Sequence, residues 1–202
     1  MNHRSRLPGL LPLGMVCLIA ASVSGCGGGD APVRELAADE RPRLDLATAG
    51  TVRVAPAPLT GFHHAYYLHW PAGLDTCTAH TAAHLLVVPN NTGTAEDEIA
   101  VHEDRVRGDV MGRGAGFAST LPAALLMPVF PRPSDRWRVY THALDRDVMT
   151  LPDDDPLARL DRQLLAMIDH ARTLLAGSGH ELAPDVLMFG FSASGTFVNR
   201  FT

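Results

Sequence analysis

The sequence predicts an α/β protein with a mostly parallel sheet and helices on both faces. Beyond residue 50, short apolar runs alternate with amphipathic segments of helical spacing. Most of the runs are followed by proline, glycine or asparagine, which end strands and start turns. Strands that are joined through helices are parallel and connected by right-handed crossovers, so this alternation indicates a helix-covered sheet.

Composition excludes several classes of protein. The chain has 202 residues, 46% of them hydrophobic, and a net charge of −5. This length suits one domain with a sizeable core. The acidic balance and scattered arginines argue against nucleic-acid binding, and 6% aromatic content without repeats argues against a solenoid. We expect no nucleic-acid partner and no cofactor.

Residues 1–25 are predicted to be a signal peptide. Arg4 and Arg6 precede an apolar stretch over residues 10–23 that is too short and too interrupted to span a bilayer. The stretch ends in Val-Ser-Gly-Cys-Gly, with the cysteine at Cys26, and resembles a bacterial lipoprotein box.

The lipoprotein resemblance implies that Cys26 is diacylated and becomes the mature N-terminus. Each buried methylene contributes about 0.8 kcal/mol, so several acyl chains would anchor the protein to a bacterial membrane in the cell envelope. The alternative is a plain secretory signal in which Cys26 is incidental. Residues 26–50, with three consecutive glycines and mixed charge, are predicted to be a flexible tether to a domain over residues 51–202.

The first half of that domain contains three strand patterns and one helix pattern. Apolar runs at Thr51–Val54 and Ala65–Trp70 predict the first two strands, and His84–Val88 predicts a buried strand that leads into a turn-rich loop. Acidic residues at the start of residues 96–110 predict a helix, which we expect to end at the glycines of residues 112–116.

The second half repeats the alternation. Ala124–Phe130 predicts a strand that is bulged or ended early by its proline, and residues 137–141 are a short strand or a surface excursion. Asp155 is the predicted N-cap of a helix over residues 156–176. A short apolar run at Asp185–Phe189 predicts a strand buried on both faces. The apolar stripe of the helix consists of Leu157, Leu160, Leu164, Ile168, Ala171 and Leu175.

A serine lies at a turn directly after this last strand. Gly190 breaks the apolar run, Ser192 is the apex, and a helix can begin at Ala193. This strand–turn–helix resembles the nucleophile elbow of the α/β-hydrolase superfamily, in which small residues let the strand and helix approach each other. It departs from the strict G-x-S-x-G pattern, because Ser194 occupies the fifth position and the glycine comes one residue later.

The resemblance covers residues 51–202 and is to the N-terminal part of such a hydrolase, in the secreted esterase and polyester-depolymerase branch. It implies an ester hydrolase with Ser192 as nucleophile and the backbone N–H of Ala193 as one oxyanion donor. The second donor would come from the loop at residues 89–93, with Asn90 or Asn91 as candidates. The alternative for these asparagines is a tight turn.

The triad is incomplete in this chain. In the superfamily the acid and the histidine follow the serine, but none of the residues after Ser192 is His, Asp or Glu. His142, close to Asp145 and Asp147, is the best upstream candidate for a base, and a local hydrogen bond is the alternative. Three interpretations stay open: a membrane-tethered ester hydrolase, a non-catalytic lipoprotein with half of the fold, and a truncated gene fragment. With no later strand to pair with it, the elbow strand would be an open, aggregation-prone edge.

Cys77, His80 and His84 have zinc-ligand types at suitable spacing. However, His84 opens an apolar strand, and Thr81 replaces the glutamate of H-E-x-x-H. We therefore predict no metal site here, and Cys77 is expected to be a small buried hydrophobe.

Overall fold

The computed structural model describes residues 33–74, 83–91, 93–121, 123–136, 144 and 146–201. Its strands form one six-stranded sheet in the order β1-β2-β3-β5-β4-β6. The strands are β1 (Arg34–Leu36), β2 (Gly50–Val54), β3 (Tyr66–Trp70), β4 (His84–Val87), β5 (Ala123–Pro128) and β6 (Val186–Met188). The helices are α1 (Ile99–Asp109), α2 (Ala115–Thr120), α3 (Arg146–Met149), α4 (Leu160–Gly177) and α5 (Ala193–Phe201).

Strand direction follows from the connections. The chain passes from β4 through α1 and α2 to β5, and from β5 through α4 to β6, and these three strands are mutually parallel. The link from β2 to β3 holds only one short 3₁₀ turn, and the two strands are antiparallel. β3 is also antiparallel to β5, and β1 is parallel to β2. The predicted α/β class is thus confirmed as a mixed, mostly parallel sheet.

Helices cover both faces of this sheet, as the alternation predicts. On β5, Ala124 and Leu126 belong to the hydrophobic cluster that α4 and α5 complete. Leu125 and Met127 point into the opposite cluster, which contains Val106 of α1. Because successive strand residues face opposite sides, a strand covered on both faces is apolar throughout, and every residue of β5 is buried.

The long helix begins later than its N-cap pattern predicts. Asp155 Oδ1 accepts a hydrogen bond from the Leu157 N–H at 2.9 Å, but this bond closes a turn that precedes the helix. Arg159 then has φ +46°, so regular α4 can begin only at Leu160. The predicted stripe is otherwise correct, since its members within α4 pack in the core: Leu160, Leu164, Ile168, Ala171 and Leu175.

The glycines that were expected to end the first helix do not end it. A π-helical turn over Val110–Gly114 leads directly into α2. A Cβ on Gly114 would lie 2.7 Å from Leu125 Cδ2, so this glycine lets the helix approach β5 closely. Buried Val110 and Ala118 on either side hold the segment against the sheet, and this packing outweighs the low helix propensity of glycine.

The predicted tether is wrong for residues 33–50. This segment provides strand β1, and Leu36, Leu44 and Leu46 are buried in the core. The indole N–H of Trp70 is shared between the carbonyl oxygens of Asp45 and Thr48, each at 2.9 Å. The few leucines among charged residues show no periodicity, but their partners are provided by distant parts of the chain.

The elbow strand is also not buried on both faces. β6 is the last strand in the sheet order, and Leu187 and Phe189 are 36% and 47% exposed. In the described part of the chain it pairs only with β4, as expected of an open edge. The predictions for residues 1–32, 75–82 and 137–143 lie outside the described residues. No helix within the described ranges has the length and apolar character needed to cross a membrane.

Candidate active site

Ser192 occupies the turn between β6 and α5, as predicted. Its side chain is exposed and its φ is +58°. A left-handed backbone at a non-glycine residue costs on the order of 1–3 kcal/mol and persists only where the surrounding structure enforces it. An exposed serine in a left-handed turn between a strand and a helix is the arrangement that the nucleophile-elbow prediction requires.

The two glycines of the motif face each other across this turn. A Cβ on Gly190 would lie 2.6 Å from the Ser194 carbonyl carbon and 2.8 Å from the Gly195 nitrogen. A Cβ on Gly195 would lie 3.3 Å from the Gly190 carbonyl oxygen. The first turn of α5 therefore packs directly on the end of β6 through the backbone of Ser194 and Gly195, and a side chain on Gly195 would meet the Gly190 carbonyl closely.

Ser194, at the position where the strict motif has glycine, stabilises the turn. Its side chain is buried, and its Oγ accepts a hydrogen bond from the Phe191 N–H and donates one to the Phe191 carbonyl, both at 3.0 Å. The hydroxyl is thus engaged on both sides. Of the two serines in the motif, Ser192 is the one with an accessible hydroxyl.

The loop after β4 reaches the elbow through Asn91. The Ser194 N–H donates to Asn91 Oδ1 at 3.3 Å, and the oxygen has to be the atom facing it because an N–H can only donate. This bond satisfies one of the N–H groups in the first turn of α5, which have no acceptor within the helix. The predicted proximity of this loop to the elbow is therefore present in the structure.

Asn90 has a different, structural role. It is buried, its Nδ2 donates to the Phe130 carbonyl at 2.9 Å, and its Oδ1 accepts from the Phe130 N–H at 3.0 Å. These bonds fasten the loop after β4 to the segment after β5. Since both ends of the Asn90 amide are engaged, an oxyanion donor in this loop would be the Asn91 side chain or a backbone N–H.

The positive end of α5 points at the space beside Ser192. Ala193 is the first residue of the helix, and the earliest helical bond runs from the Thr196 N–H to the Ser192 carbonyl at 3.2 Å. The N–H groups before Thr196 cannot reach an intrahelical acceptor, and together with the helix dipole they favour negative charge. The Ala193 N–H is the first of these groups and directly follows Ser192 in the chain.

A cavity of about 400 Å³ adjoins the elbow. It lies between the end of β6, the loop after β4, and the π-helical turn with α2. Sequence reasoning did not find it, because its walls come from segments far apart in the chain. The lining residues are Val88, Pro89, Asn90, Asn91, Asp109, Arg113, Gly114, Phe117, Met127, Phe189, Phe191 and Ser194.

The histidines with described bonds serve the fold. His64 is buried, its Nε2 bonds the Pro156 carbonyl at 2.8 Å, and burial lowers its pKa to about 4. His170 accepts from the Tyr66 hydroxyl through Nδ1 at 2.5 Å, and burial also lowers its pKa. No histidine or carboxylate is hydrogen-bonded to Ser192 within the described ranges. His142 lies outside them.

The metal alternative gains no support. Cys77 and His80 lie outside the described residues, and His84 is at the start of β4 as predicted. Its Nδ1 is buried without a hydrogen-bond partner. Where the structure is described, no group of three or more metal-ligand side chains comes together.

Comparisons with models of protein families, with curated proteins and with solved structures give no match. The functional interpretation therefore rests on the geometry of the elbow and the cavity.

Proposed function

We propose that this protein is a serine hydrolase of carboxylic esters with an α/β-hydrolase-like fold and Ser192 as its nucleophile. The observation that carries the proposal is the exposed Ser192 at φ +58° between β6 and α5. Non-glycine residues adopt this conformation only infrequently. The close packing of Gly190 on α5 supports the same interpretation.

The reaction follows from the positions of these groups. Ser192 Oγ forms a bond to the ester carbonyl carbon while a base accepts the hydroxyl proton. The negative charge on the carbonyl oxygen is stabilised by the Ala193 N–H and a donor from Asn91 or its loop backbone, each worth about 3 kcal/mol. The C–O bond to the alcohol then breaks, the alcohol leaves with the proton, and water hydrolyses the acyl-serine to the carboxylic acid.

The base is the component that the described residues do not supply. His142 is the upstream histidine that the sequence nominates for it. Replacement of His142 by Gln is expected to abolish turnover while the fold is kept. Unchanged turnover would exclude His142 and leave the base to be found elsewhere.

We also propose that the protein is exported and anchored to a bacterial membrane through lipid on Cys26. The sequence around Cys26, which resembles a lipoprotein box, supports this proposal. A Cys26→Ser variant expressed in a bacterial host should lose incorporation of labelled fatty acid and leave the membrane fraction. Equal labelling of both forms would contradict lipidation at this cysteine.

The second candidate function is a non-catalytic lipoprotein that uses the same fold to bind an apolar ligand. The cavity beside the elbow favours it, because binding there needs no base.

Labelling with a fluorophosphonate distinguishes the two. The hydrolase proposal expects covalent modification of Ser192 and turnover of short-chain p-nitrophenyl esters, both lost in Ser192→Ala. Ser119→Ala is a matched control, since Ser119 is an exposed serine on α2 with its hydroxyl bonded to the Gly116 carbonyl. Equal labelling of wild type and Ser192→Ala would remove Ser192 from the mechanism, and no labelling of either would favour the binding protein.

A further inference from the structure

The cavity beside the elbow has an aromatic wall that is left open to solvent. The rings of Phe117 and Phe189 have centroids 5.4 Å apart, and the two side chains are 48% and 47% exposed. Phe191, directly before Ser192, is 72% exposed. Large apolar side chains grouped in this way on a cavity wall are typical of a binding site for an apolar ligand.

The polar groups of the cavity are largely engaged within the protein. Asn90 is bonded to the backbone of Phe130, and the Ser194 hydroxyl is bonded to the backbone of Phe191. At the rim, Arg113 Nη2 and Asp109 Oδ1 are 3.0 Å apart, so the two charges compensate each other. The cavity walls that remain open to a ligand are therefore mainly the apolar side chains.

The size of the cavity sets the scale of the ligand. An engineered protein cavity of about 150 Å³ is enough to hold benzene. A volume of about 400 Å³ therefore accommodates an aromatic ring with a short linker. The buried side chain of Met127 and the helix backbone at Gly114 also line the cavity.

The cavity is continuous with the elbow. Phe191 and Ser194, on either side of Ser192 and Ala193 in the chain, both line it. Asn91 lines it as well and holds the Ser194 N–H through its side-chain oxygen. Ser192 and Ala193 are not themselves among the lining residues, but the residues on both sides of them are, so the cavity ends at the turn that carries the proposed nucleophile.

We infer that the cavity is the acyl-group site of the proposed hydrolase and that it takes an aromatic acyl group. This inference rests on the proposed function for the identity of the ligand as part of an ester. The binding of a neutral aromatic group does not depend on it, so the two can fail separately.

The test uses a neutral, non-hydrolysable probe, N-methyl-2-(4-fluorophenyl)acetamide, with binding to the full chain in lipid nanodiscs followed by fluorine NMR. The comparison is N-methyl-2,2,2-trifluoroacetamide, which keeps the amide and a fluorine label but has no ring. We expect the aromatic amide to bind at least about 10-fold more tightly than the ringless amide, because phenylalanine side chains line the cavity. Ser192→Ala should bind the amide as wild type does.

Phe117→Ala removes half of the aromatic pair and should weaken amide binding by about 10-fold. Leu165→Ala is the matched control, an exposed apolar residue on α4, and should change nothing. Equal binding by wild type and Phe117→Ala, or binding of the ringless amide as tight as that of the aromatic amide, would overturn the inference. If Val88→Phe, which adds volume to the wall, left amide binding unchanged in a folded protein, that result would overturn it too.

The outcomes separate the two proposals. Amide binding to wild type and Ser192→Ala, with no fluorophosphonate labelling of Ser192, retains the cavity as a binding site and rejects the hydrolase. Labelling of Ser192 without amide binding retains the hydrolase and rejects this acyl site.

Discussion

The substitution Gly190→Ala tests the contact that shapes the elbow. The added methyl group would lie 2.6 Å from the Ser194 carbonyl carbon and 2.8 Å from the Gly195 nitrogen. Both atoms belong to the backbone of α5, so no side-chain rotation relieves the clash. The helix has to move away from β6 by several tenths of an ångström or more, and Ser192 moves with it.

The expected loss of stability follows from the free-energy cost of overpacking. Forcing one extra methyl group into a packed site typically destabilises a protein by about 1–3 kcal/mol. For a domain of this size, each kcal/mol corresponds to about 2–4 °C in the melting temperature. We therefore expect Gly190→Ala to melt roughly 2–12 °C below wild type.

The matched control is Gly108→Ala in α1, where an added methyl group would meet nothing within 4 Å. Alanine has a helix propensity about 1 kcal/mol better than glycine, so this variant should be more stable than wild type. The assay is thermal unfolding followed by circular dichroism, in parallel with the rate of fluorophosphonate labelling. Gly190→Ala should lose both stability and labelling, and Gly108→Ala should keep its labelling.

Equal melting temperatures for Gly190→Ala and wild type would refute the close approach of α5 to β6. A destabilised Gly190→Ala that is labelled at the wild-type rate would show that stability and the reactivity of Ser192 depend on different contacts. In that case the contact matters for folding, and the position of Ser192 does not depend on it.

Three further changes test other parts of the structure. His64 is buried and its pKa is lowered from 6.5 to about 4. At pH values between these two, the unfolded chain therefore binds more protons than the folded chain does. Stability should therefore rise by up to roughly 3 kcal/mol from pH 4 to 6.5 and stay level above, and urea unfolding of His64→Gln should show a smaller rise. Asn90→Ala removes two hydrogen bonds to the buried backbone of Phe130 and should lower the free energy of unfolding in urea by about 1–3 kcal/mol, whereas exposed Asn91→Ala should lower it by under about 1 kcal/mol and slow labelling. Because Leu36 is buried in the folded domain, Leu36→Ala should lower the free energy of unfolding by about 2–5 kcal/mol. A wild-type melting temperature for this variant would contradict the assignment of residues 33–50 to the domain.

The spacing of apolar residues was sufficient to predict strands β2 to β5 and most of helix α4. The apolar runs of β2 to β5 are buried or half-buried strands, and the three- and four-residue spacing within α4 is a buried stripe. These elements could be predicted because a strand covered on both faces has to be apolar throughout, and a helix on a sheet has to be apolar on one side.

Local rules failed where a distant contact decides the outcome. Glycines that would end an isolated helix are kept in a continuous helical segment by the packing of Gly114 on β5. The leucines of residues 33–50 have no periodicity, yet Trp70 and the core give them partners. At α4 the N-cap residue was recognised correctly, but Arg159 at φ +46° moves the start of the helix to Leu160.

The sequence by itself determined the serine turn, because a strand, two glycines and a helix around Ser192 are contiguous in the chain. Only the tertiary structure decided which neighbours this turn has. Asn91 follows β4 and reaches the elbow because the neighbouring parallel strands β4 and β6 end on the same side of the sheet. Phe117 lies on α2, before β5, and reaches the cavity because its ring packs against that of Phe189. Side chains that meet in this way share no local pattern, since their proximity is set by strand order and helix packing.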